Sequence, residues 1–225
     1  MRLTIMLGVA AAVAAAVATA PLRAQTAADA PIDRAVAAWA KVRTVKGTFE
    51  QTVSNSLTGT SATARGEYVQ ERPNRLAIRF SQPASDAIVA DGKFVWLYLP
   101  TSAPGQVIKR SATDRASLPI DLTGQFLDAP RARYDITPLG PRAAAGRPAH
   151  GFELVAKKGA PAPFTRATVW VDDEDSFVRD FEETEPSGVT RHIVLTSFEP
   201  NVPVNRAAFT FTVPKGVKVV DQTHP

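Results

Sequence analysis

The stretch Arg75–Phe80 (RLAIRF) shows the pattern that decides the fold, because apolar and charged side chains alternate along it. Leu76, Ile78 and Phe80 fall on one face of an extended chain, and the two arginines fall on the other. A period of two residues is typical of a β-strand with one face buried. The stretch therefore predicts a strand that packs its apolar face against a core.

The same alternation continues in both directions. Gly47–Val53 (GTFEQTV) alternates upstream, and downstream Ile88–Ala90 leads through Asp91-Gly92 into Phe94–Leu99, the arrangement of a type I′ hairpin. Further predicted strands are Ala62–Gln70, Gln106–Arg110, Arg133–Leu139, His150–Ala156, Arg166–Val171, Val178–Glu183, Thr190–Phe198 and Phe209–Val213. About eleven or twelve short strands separated by turn residues predict a mainly β chain with one large antiparallel sheet or barrel.

Two helices interrupt the strands. Asp33 is suited to cap a helix over Ala35–Val45, and an apolar stripe at helical spacing is formed by Ile32, Val36, Trp39 and Ala40. Leu118–Leu127 (LPIDLTGQFL) is short and apolar, and it predicts a second helix inserted between strands. We therefore expect the helices to cover one mouth or face of a curled sheet.

The strand number bears on whether the interior is hollow. A barrel of about eight strands is filled by its own side chains, and a wider one leaves space inside. The residues predicted to face inward are Phe49, Val53, Leu76, Ile78, Phe80, Trp96, Leu154 and Trp170. A packed core without a cavity is the alternative, because apolar alternation normally indicates core. Periodicity alone leaves both interpretations open.

The N-terminus has the features of an export signal. Arg2 precedes an apolar run, Leu3–Ala20, which is followed by small residues. This order predicts a secretory signal peptide over residues 1–24, cleaved after Ala24 or after Ala20, and a single domain over residues 25–225. A membrane anchor is the alternative, since the run approaches the length that spans a bilayer.

The composition excludes several kinds of chemistry. The chain has 225 residues, three His and no Cys, which excludes thiol catalysis, cysteine-ligated metals and disulfides. The 26 Lys and Arg residues are scattered and nearly balanced by 22 Asp and Glu, which argues against nucleic-acid binding. The acidic run Asp172–Asp175 lacks the spacing of a calcium loop and predicts a solvated turn. Hydrolase motifs are missing, so we predict neither an enzyme nor a cofactor.

Four strings occur together in one order: Val45–Gln51 (VKGTFEQ), Gln70–Asn74 (QERPN), Asp91–Tyr98 (DGKFVWLY) and Phe209–Gln222 (FTFTVPKGVKVVDQ). In this order they resemble the outer-membrane lipoprotein carrier family, LolA, over about residues 32–222. The resemblance implies an incomplete antiparallel β-barrel with a helical lid, located in the periplasm of a Gram-negative bacterium. It also implies a monomeric chaperone that holds the acyl chains of lipoproteins in an apolar cavity.

The resemblance also implies partners. Such carriers receive lipoproteins from the inner-membrane ABC transporter complex LolCDE and pass them to the outer-membrane acceptor LolB where one exists. The acceptor is itself a lipoprotein, so the lack of Cys excludes that role for this chain. A sensor on the same fold, which regulates a membrane partner, is the alternative function, although such sensors usually carry a second domain.

The resemblance assigns roles to particular residues. Arg72 matches the family's lid-locking arginine, which donates hydrogen bonds to the lid-helix backbone and is needed to hand cargo on. Leu76 and Ile78 match apolar positions near the cavity mouth, although plain core packing is an equal interpretation of both. The candidates for the lid and its partners on the first helix are Ile120, Leu122, Phe126, Val36, Trp39 and Ala40.

Overall fold

The computed structural model describes residues 22–112 and 121–223. Within these residues it contains twelve strands, three α-helices and one 3-10 helix. The helices are α1 (Leu22–Trp39), α2 (Gly124–Leu127), α3 (Pro130–Arg133) and the 3-10 helix Arg206–Phe209. The strands are β1 (Thr44–Asn55), β2 (Thr60–Glu71), β3 (Arg75–Gln82), β4 (Ala84–Asp91), β5 (Phe94–Tyr98), β6 (Gln106–Ser111), β7 (Tyr134–Ala144), β8 (Arg147–Ala156), β9 (Arg166–Asp172), β10 (Val178–Thr184), β11 (Val189–Pro200) and β12 (Lys218–Gln222).

All twelve of these strands belong to one sheet, in the order β12-β6-β5-β4-β3-β2-β1-β11-β10-β9-β8-β7. Its neighbours are antiparallel except β12 and β6, which are parallel. In the described part of the chain β12 and β7 do not pair with each other, so the sheet is unclosed. The predicted open, mainly β architecture is confirmed, and the twelve strands agree with the expected number.

The inner face of the sheet forms one core. Leu76 on β3 and Phe152 on β8 belong to the same buried cluster, although several strands separate them in the sheet. Residues so far apart in strand order share a core only when the sheet curls. Ile32 and Trp39 of α1 belong to this cluster as well, so α1 covers the inner face.

The first helix ends earlier than predicted. It stops at Trp39, whereas Val45 lies on β1 and pairs with Pro200 of β11. Asp33 lies exposed within the helix and therefore does not cap it. Ala40 is exposed, so the prediction that it belongs to the apolar stripe was wrong. Tertiary pairing decided the boundary, because β1 satisfies its backbone groups in the sheet from Thr44 onward.

Two turns also differ from the prediction. In the hairpin between β4 and β5, Gly92 has a positive φ and Asp91 does not, so the turn is not type I′. The Asp91 carboxylate instead accepts hydrogen bonds from the backbone N–H groups of Lys93 and Phe94. The acidic turn Asp172–Asp175 is only partly solvated, because Asp172 is buried and pairs with Arg147.

The outer face carries a second, smaller cluster. Ala77 and Val89 are buried there beneath the C-terminal segment, where Phe209 ends the 3-10 helix. The strand predicted over Phe209–Val213 is therefore wrong: this segment packs through its aromatic rings onto the sheet and does not extend it. The last strand is β12, further along the chain.

Among the described residues, no helix combines the length and the apolar character needed to cross a membrane. The segment Leu3–Ala20, on which the signal-peptide and anchor interpretations depend, lies outside those residues.

Candidate functional site

An apolar cavity lies between the inner face of the sheet and the segment that carries α2. About 60 Å³ of it is free for water-sized groups, each of which needs about 10–15 Å³. Its walls come from β1, β3, β4, β5, β10, β11 and the α2 segment: Phe49, Gln51, Leu76, Ile78, Phe80, Ile88, Ala90, Val95, Leu122, Gln125, Glu183, Arg191 and Ile193. The space holds a few small groups and is too small for a long chain.

Strand register explains why the cavity wall is apolar. Ile78 of β3 lies opposite Ile88 of β4, so alternation along both strands gives one continuous inner surface. Phe49 of β1 packs edge to face on Phe80, with ring centres 5.6 Å apart. Gly66 of β2 makes room for the ring of Phe49, because a Cβ at position 66 would lie 3.0 Å from that ring.

Two elements form a lid over the inner face. On α1 the side chains of Ile32 and Trp39 are buried in the core. On the segment Asp121–Leu127, Leu122 lines the cavity and Phe126 is buried against Phe181, with ring centres 4.9 Å apart. We call these two elements the lid, and α1 and α2 pack against each other within it.

Arg72 fastens the lid to the hairpin between β2 and β3. Its Nη1 donates hydrogen bonds to the backbone carbonyl oxygens of Trp39 at 2.8 Å and Val42 at 3.3 Å. Its guanidinium lies 5.0 Å from the centre of the Trp39 ring. Trp39 is the last residue of α1, where helix carbonyls lack intrahelical partners and accept from side chains. The resemblance implied hydrogen bonds from Arg72 to the backbone of the lid helix, and the bond to Trp39 is present. A role of Arg72 in cargo transfer stays a prediction.

The same guanidinium reaches the second part of the lid. Its Nε lies 3.6 Å from Oδ2 of Asp121, which begins that segment, and Oδ1 of Asp121 accepts from the backbone N–H of Gly124 at 2.7 Å. Burial raises the pKa of the Asp121 carboxyl, and the Gly124 bond and Arg72 oppose that rise. One arginine therefore contacts both parts of the lid.

One part of the cavity wall is polar. Glu183 of β10 lies opposite Arg191 of β11, and Nη1 of Arg191 is 3.5 Å from Oε1 of Glu183. Gln125 of α2 donates from Nε2 to Oε2 of Glu183 at 3.3 Å. Burial raises the pKa of Glu183, although the Arg191 guanidinium opposes this. We call Glu183 and Arg191 the polar pair.

Most of the predicted site residues lie where they were expected. Those that line the cavity are Phe49, Leu76, Ile78, Phe80 and Leu122. Trp39 belongs to the lid, and Val36 packs partly buried against the core. Phe126 and Leu154 are fully buried core residues outside the cavity lining. Ile120 lies outside the described residues.

Two tryptophans were assigned to the wrong face. Trp96 stacks on Phe211 on the outer face, with ring centres 5.6 Å apart, and Val95 faces the cavity instead. The guanidinium of Arg142 lies 3.8 Å from the centre of the Trp170 ring. Val169, the neighbour of Trp170 in sequence, belongs to the core. β5 is apolar on both faces, so alternation could not choose its inner one. In β9 the apolar alternation is Ala167, Val169 and Val171, and Trp170 lies on the opposite face with Arg166 and Thr168.

The sequence prediction also missed the polar part of the wall. Gln51 lies on a strand whose alternation placed it inward beside Phe49, but polar residues were not considered as lining. Gln125, Glu183 and Arg191 come from three separate segments and share no local motif. Their grouping depends on strand pairing, which one sequence does not display.

An open β-barrel with an apolar interior, covered by a helical lid, defines a class of proteins with room for apolar groups between sheet and lid. No group of side chains suited to hold a metal ion occurs in the portion of the chain that the structure describes. The comparisons with known proteins agree with this class. The family model described as "Outer membrane lipoprotein carrier protein LolA" matches residues 40–212. The chain therefore belongs to the LolA family of outer-membrane lipoprotein carrier proteins.

Similar proteins carry the same description. The outer-membrane lipoprotein carrier protein of Aeromonas salmonicida (strain A449) is 29% identical over 175 residues, covering 77% of this chain and 80% of the relative. That of Serratia proteamaculans (strain 568) is 26% identical over 184 residues, covering 81% and 84% respectively. An uncharacterized conserved protein of Thermus thermophilus has a similar structure, with a TM-score of 0.54 at 13% identity, covering 87% of this chain and 99% of that one. This last likeness concerns the fold alone.

Proposed function

We propose that this protein is a periplasmic chaperone that binds the acyl chains of lipoproteins and carries them to the outer membrane. The observation that carries the proposal is the apolar cavity closed by a lid that Arg72 fastens. The names of the relatives, and the family itself, support a role in lipoprotein transport. The acyl chains would enter against Leu76, Ile78 and Phe80 on the fixed wall.

The small volume of the cavity supports a lid that moves. Burial of an acyl chain yields about 0.8 kcal/mol per CH₂ group. A carrier that kept all of this free energy would not release its cargo. Because the closed cavity has only about 60 Å³ free, the side chains of the lid, such as Leu122, must leave before a chain enters. The net affinity is then the difference between two similar burials, and release becomes feasible.

The partners follow from the same proposal. The carrier would accept lipoproteins from LolCDE at the inner membrane and deliver them to LolB where that acceptor is present. Residues 1–24 would direct export as a cleaved signal peptide, and residues 25–225 would act as a single carrier domain and as a monomer. The chemical energy for loading would come from the transporter, since this chain has no nucleotide-binding motif.

Native mass spectrometry of the protein purified from periplasm tests the proposal. We expect a triacylated lipoprotein bound one to one. A soluble regulator in its place, with no lipid bound, would favour the sensor alternative and contradict the carrier role.

A pair of substitutions connects the result to the cavity. Ala90 lines the cavity on β4, and Ala77 is buried on the outer face of the adjacent β3. We expect Ala90→Leu to reduce the amount of bound lipoprotein, because it fills the cavity. Ala77→Leu makes the same change of size on the other face and serves as the matched control.

A further inference from the structure

The polar pair lies in the wall of a cavity whose other lining residues are mostly apolar. Glu183 is only 5% exposed, and it shares a wall with Ile193 and Phe49. Arg191 is 30% exposed, and its Nη2 also donates to Oε1 of Glu185 at 3.1 Å. An ion pair with one buried partner gives little net stability compared with apolar residues of the same volume. The pair therefore needs an explanation beyond the packing of the sheet.

Two buried polar atoms beside the pair are unsatisfied. Nε of Arg191 and Oε1 of Gln125 have no hydrogen-bond partner in residues 22–112 and 121–223. Gln125 is only 8% exposed. Buried polar groups are almost always hydrogen-bonded, and an unsatisfied one carries a desolvation penalty. The Nε–H donor of Arg191 lies on a strand and is thus available for a ligand, whereas the Gln125 acceptor belongs to the lid and moves with it.

The lid already presents an amide to the polar pair. The side-chain amide of Gln125 donates to Glu183 at 3.3 Å and to the carbonyl oxygen of Leu122 at 3.1 Å. Because Gln125 belongs to the lid, the contact with Glu183 is lost when the lid leaves the wall. Glu183 and Arg191 lie on strands and stay in place.

We infer that Glu183 and Arg191 form a polar site that binds the carbonyl and amide N–H groups at the head of an acylated peptide, in the position that the Gln125 amide occupies when the lid is closed. The inference rests on the proposed function and deepens it. Nε–H of Arg191 would donate to an ester or amide carbonyl. Glu183 would accept from the N–H of the ligand.

The site also gives the ligand a direction. Along β1, Val53 pairs with Arg191 and Thr44 pairs with Glu71, next to Arg72. Nine residues of strand separate these positions, about 30 Å at about 3.3 Å per residue. With its head group at the polar pair, the ligand would extend its acyl chains toward the end of the sheet that lies next to Arg72.

An ester-to-ether exchange in the ligand tests the inference. The probes are a dipalmitoyl lipopeptide with ester links and its ether analogue, which lacks the carbonyls and is more apolar. Affinities are measured by displacement of a fluorescent acyl probe from the full mature chain. We expect the ester form to bind about tenfold more tightly, the effect of one charge-assisted hydrogen bond. Apolar partition alone would favour the ether.

Two variants separate the polar site from the lid. Arg191→Lys keeps the charge beside Glu183 but removes Nε–H, and we expect it to lose the preference for the ester. Gln125→Met removes the competing amide of the lid, and we expect it to keep that preference. Thermal melting checks that both variants fold. The comparison of ester and ether probes on the unaltered protein does not depend on the variants.

The outcomes distinguish the inference from the proposed function. Equal binding of ester and ether by the unaltered protein would overturn the polar site and leave the carrier role intact. Failure to bind either probe would overturn both. Equal or tighter binding of dipalmitoyl phosphatidylglycerol would assign the site to phospholipid and overturn the inference for acylated peptides.

Discussion

The guanidinium of Arg72 lies 2.8 Å from the backbone carbonyl oxygen of Trp39 and so joins the β2–β3 hairpin to the end of α1. The bond lies at the boundary between the fixed sheet and the lid. Under the proposed function this bond would exist only while the lid is closed, so its free energy would favour the empty state. It would then help to set how readily the ligand is released.

Replacement of this arginine is expected to slow release. Arg72→Leu removes the hydrogen bonds from Nη1 to Trp39 and Val42, together worth about 1.5–3 kcal/mol because the donor is charged, which shifts the lid toward the open state about tenfold to a hundredfold. The variant should still accept lipoprotein but transfer it poorly to an acceptor. The measurement is the transfer rate from the purified complex. Arg75→Leu is the matched control, because Arg75 lies on the same hairpin and binds Glu71 instead. Normal delivery by the Arg72 variant would remove this role.

Leucines in the lid and in the core are expected to act differently. Leu122→Ala reduces what the lid buries in the cavity, so affinity for an acylated peptide should rise about tenfold as closure weakens. Leu154→Ala should lower the stability of the fold by about 2–5 kcal/mol without a matching change in affinity, because Leu154 is buried outside the cavity lining. Denaturant unfolding and probe displacement measure the two effects. A change in affinity caused by Leu154→Ala alone would contradict this division.

Acid is expected to favour the folded protein through Glu183. The folded state raises the pKa of this carboxyl, mainly by burial, so the folded state binds the proton more tightly than the unfolded state does. The penalty for its charge is fully present above the raised pKa and is relieved as the pH falls through it toward the ordinary carboxyl range. The melting temperature, relative to that of Glu183→Gln, should therefore rise as the pH is lowered from above the raised pKa toward the ordinary carboxyl range. A difference that stays constant over this range would show that burial does not affect this group.

Trp96 is expected to serve stability and not ligand binding. It stacks on Phe211 and donates from its ring nitrogen to Asp91 at 3.0 Å on the outer face. Trp96→Ala should lower the melting temperature and leave the affinity for an acyl probe unchanged. A double-mutant cycle with Phe211→Ala should give a coupling of about 0.5–1.5 kcal/mol. Weaker probe binding by Trp96→Ala would place the indole in the cavity after all.

Strands with one apolar face could be read from the sequence. In β3 the charged residues Arg75 and Arg79 mark the outer side, so Leu76 and Ile78 were correctly placed inward. In β5 both faces are apolar, and the outer face is covered by Phe211. In β9 the inner face is marked by Ala167, Val169 and Val171, and Trp170 is the large apolar residue on the other face. The size of a tryptophan then suggested the wrong side.

Residue order alone determined the period of two, the absence of cysteine chemistry and the strings that mark the family, because each of these is local and is written along the chain. Tertiary structure decided where α1 ends, which tryptophans face outward and how Gln125, Glu183 and Arg191 come together at one wall. These features depend on which strands pair and how the sheet curls. Pairing joins residues far apart in sequence, and its free energy is shared over the whole sheet rather than carried by any one segment.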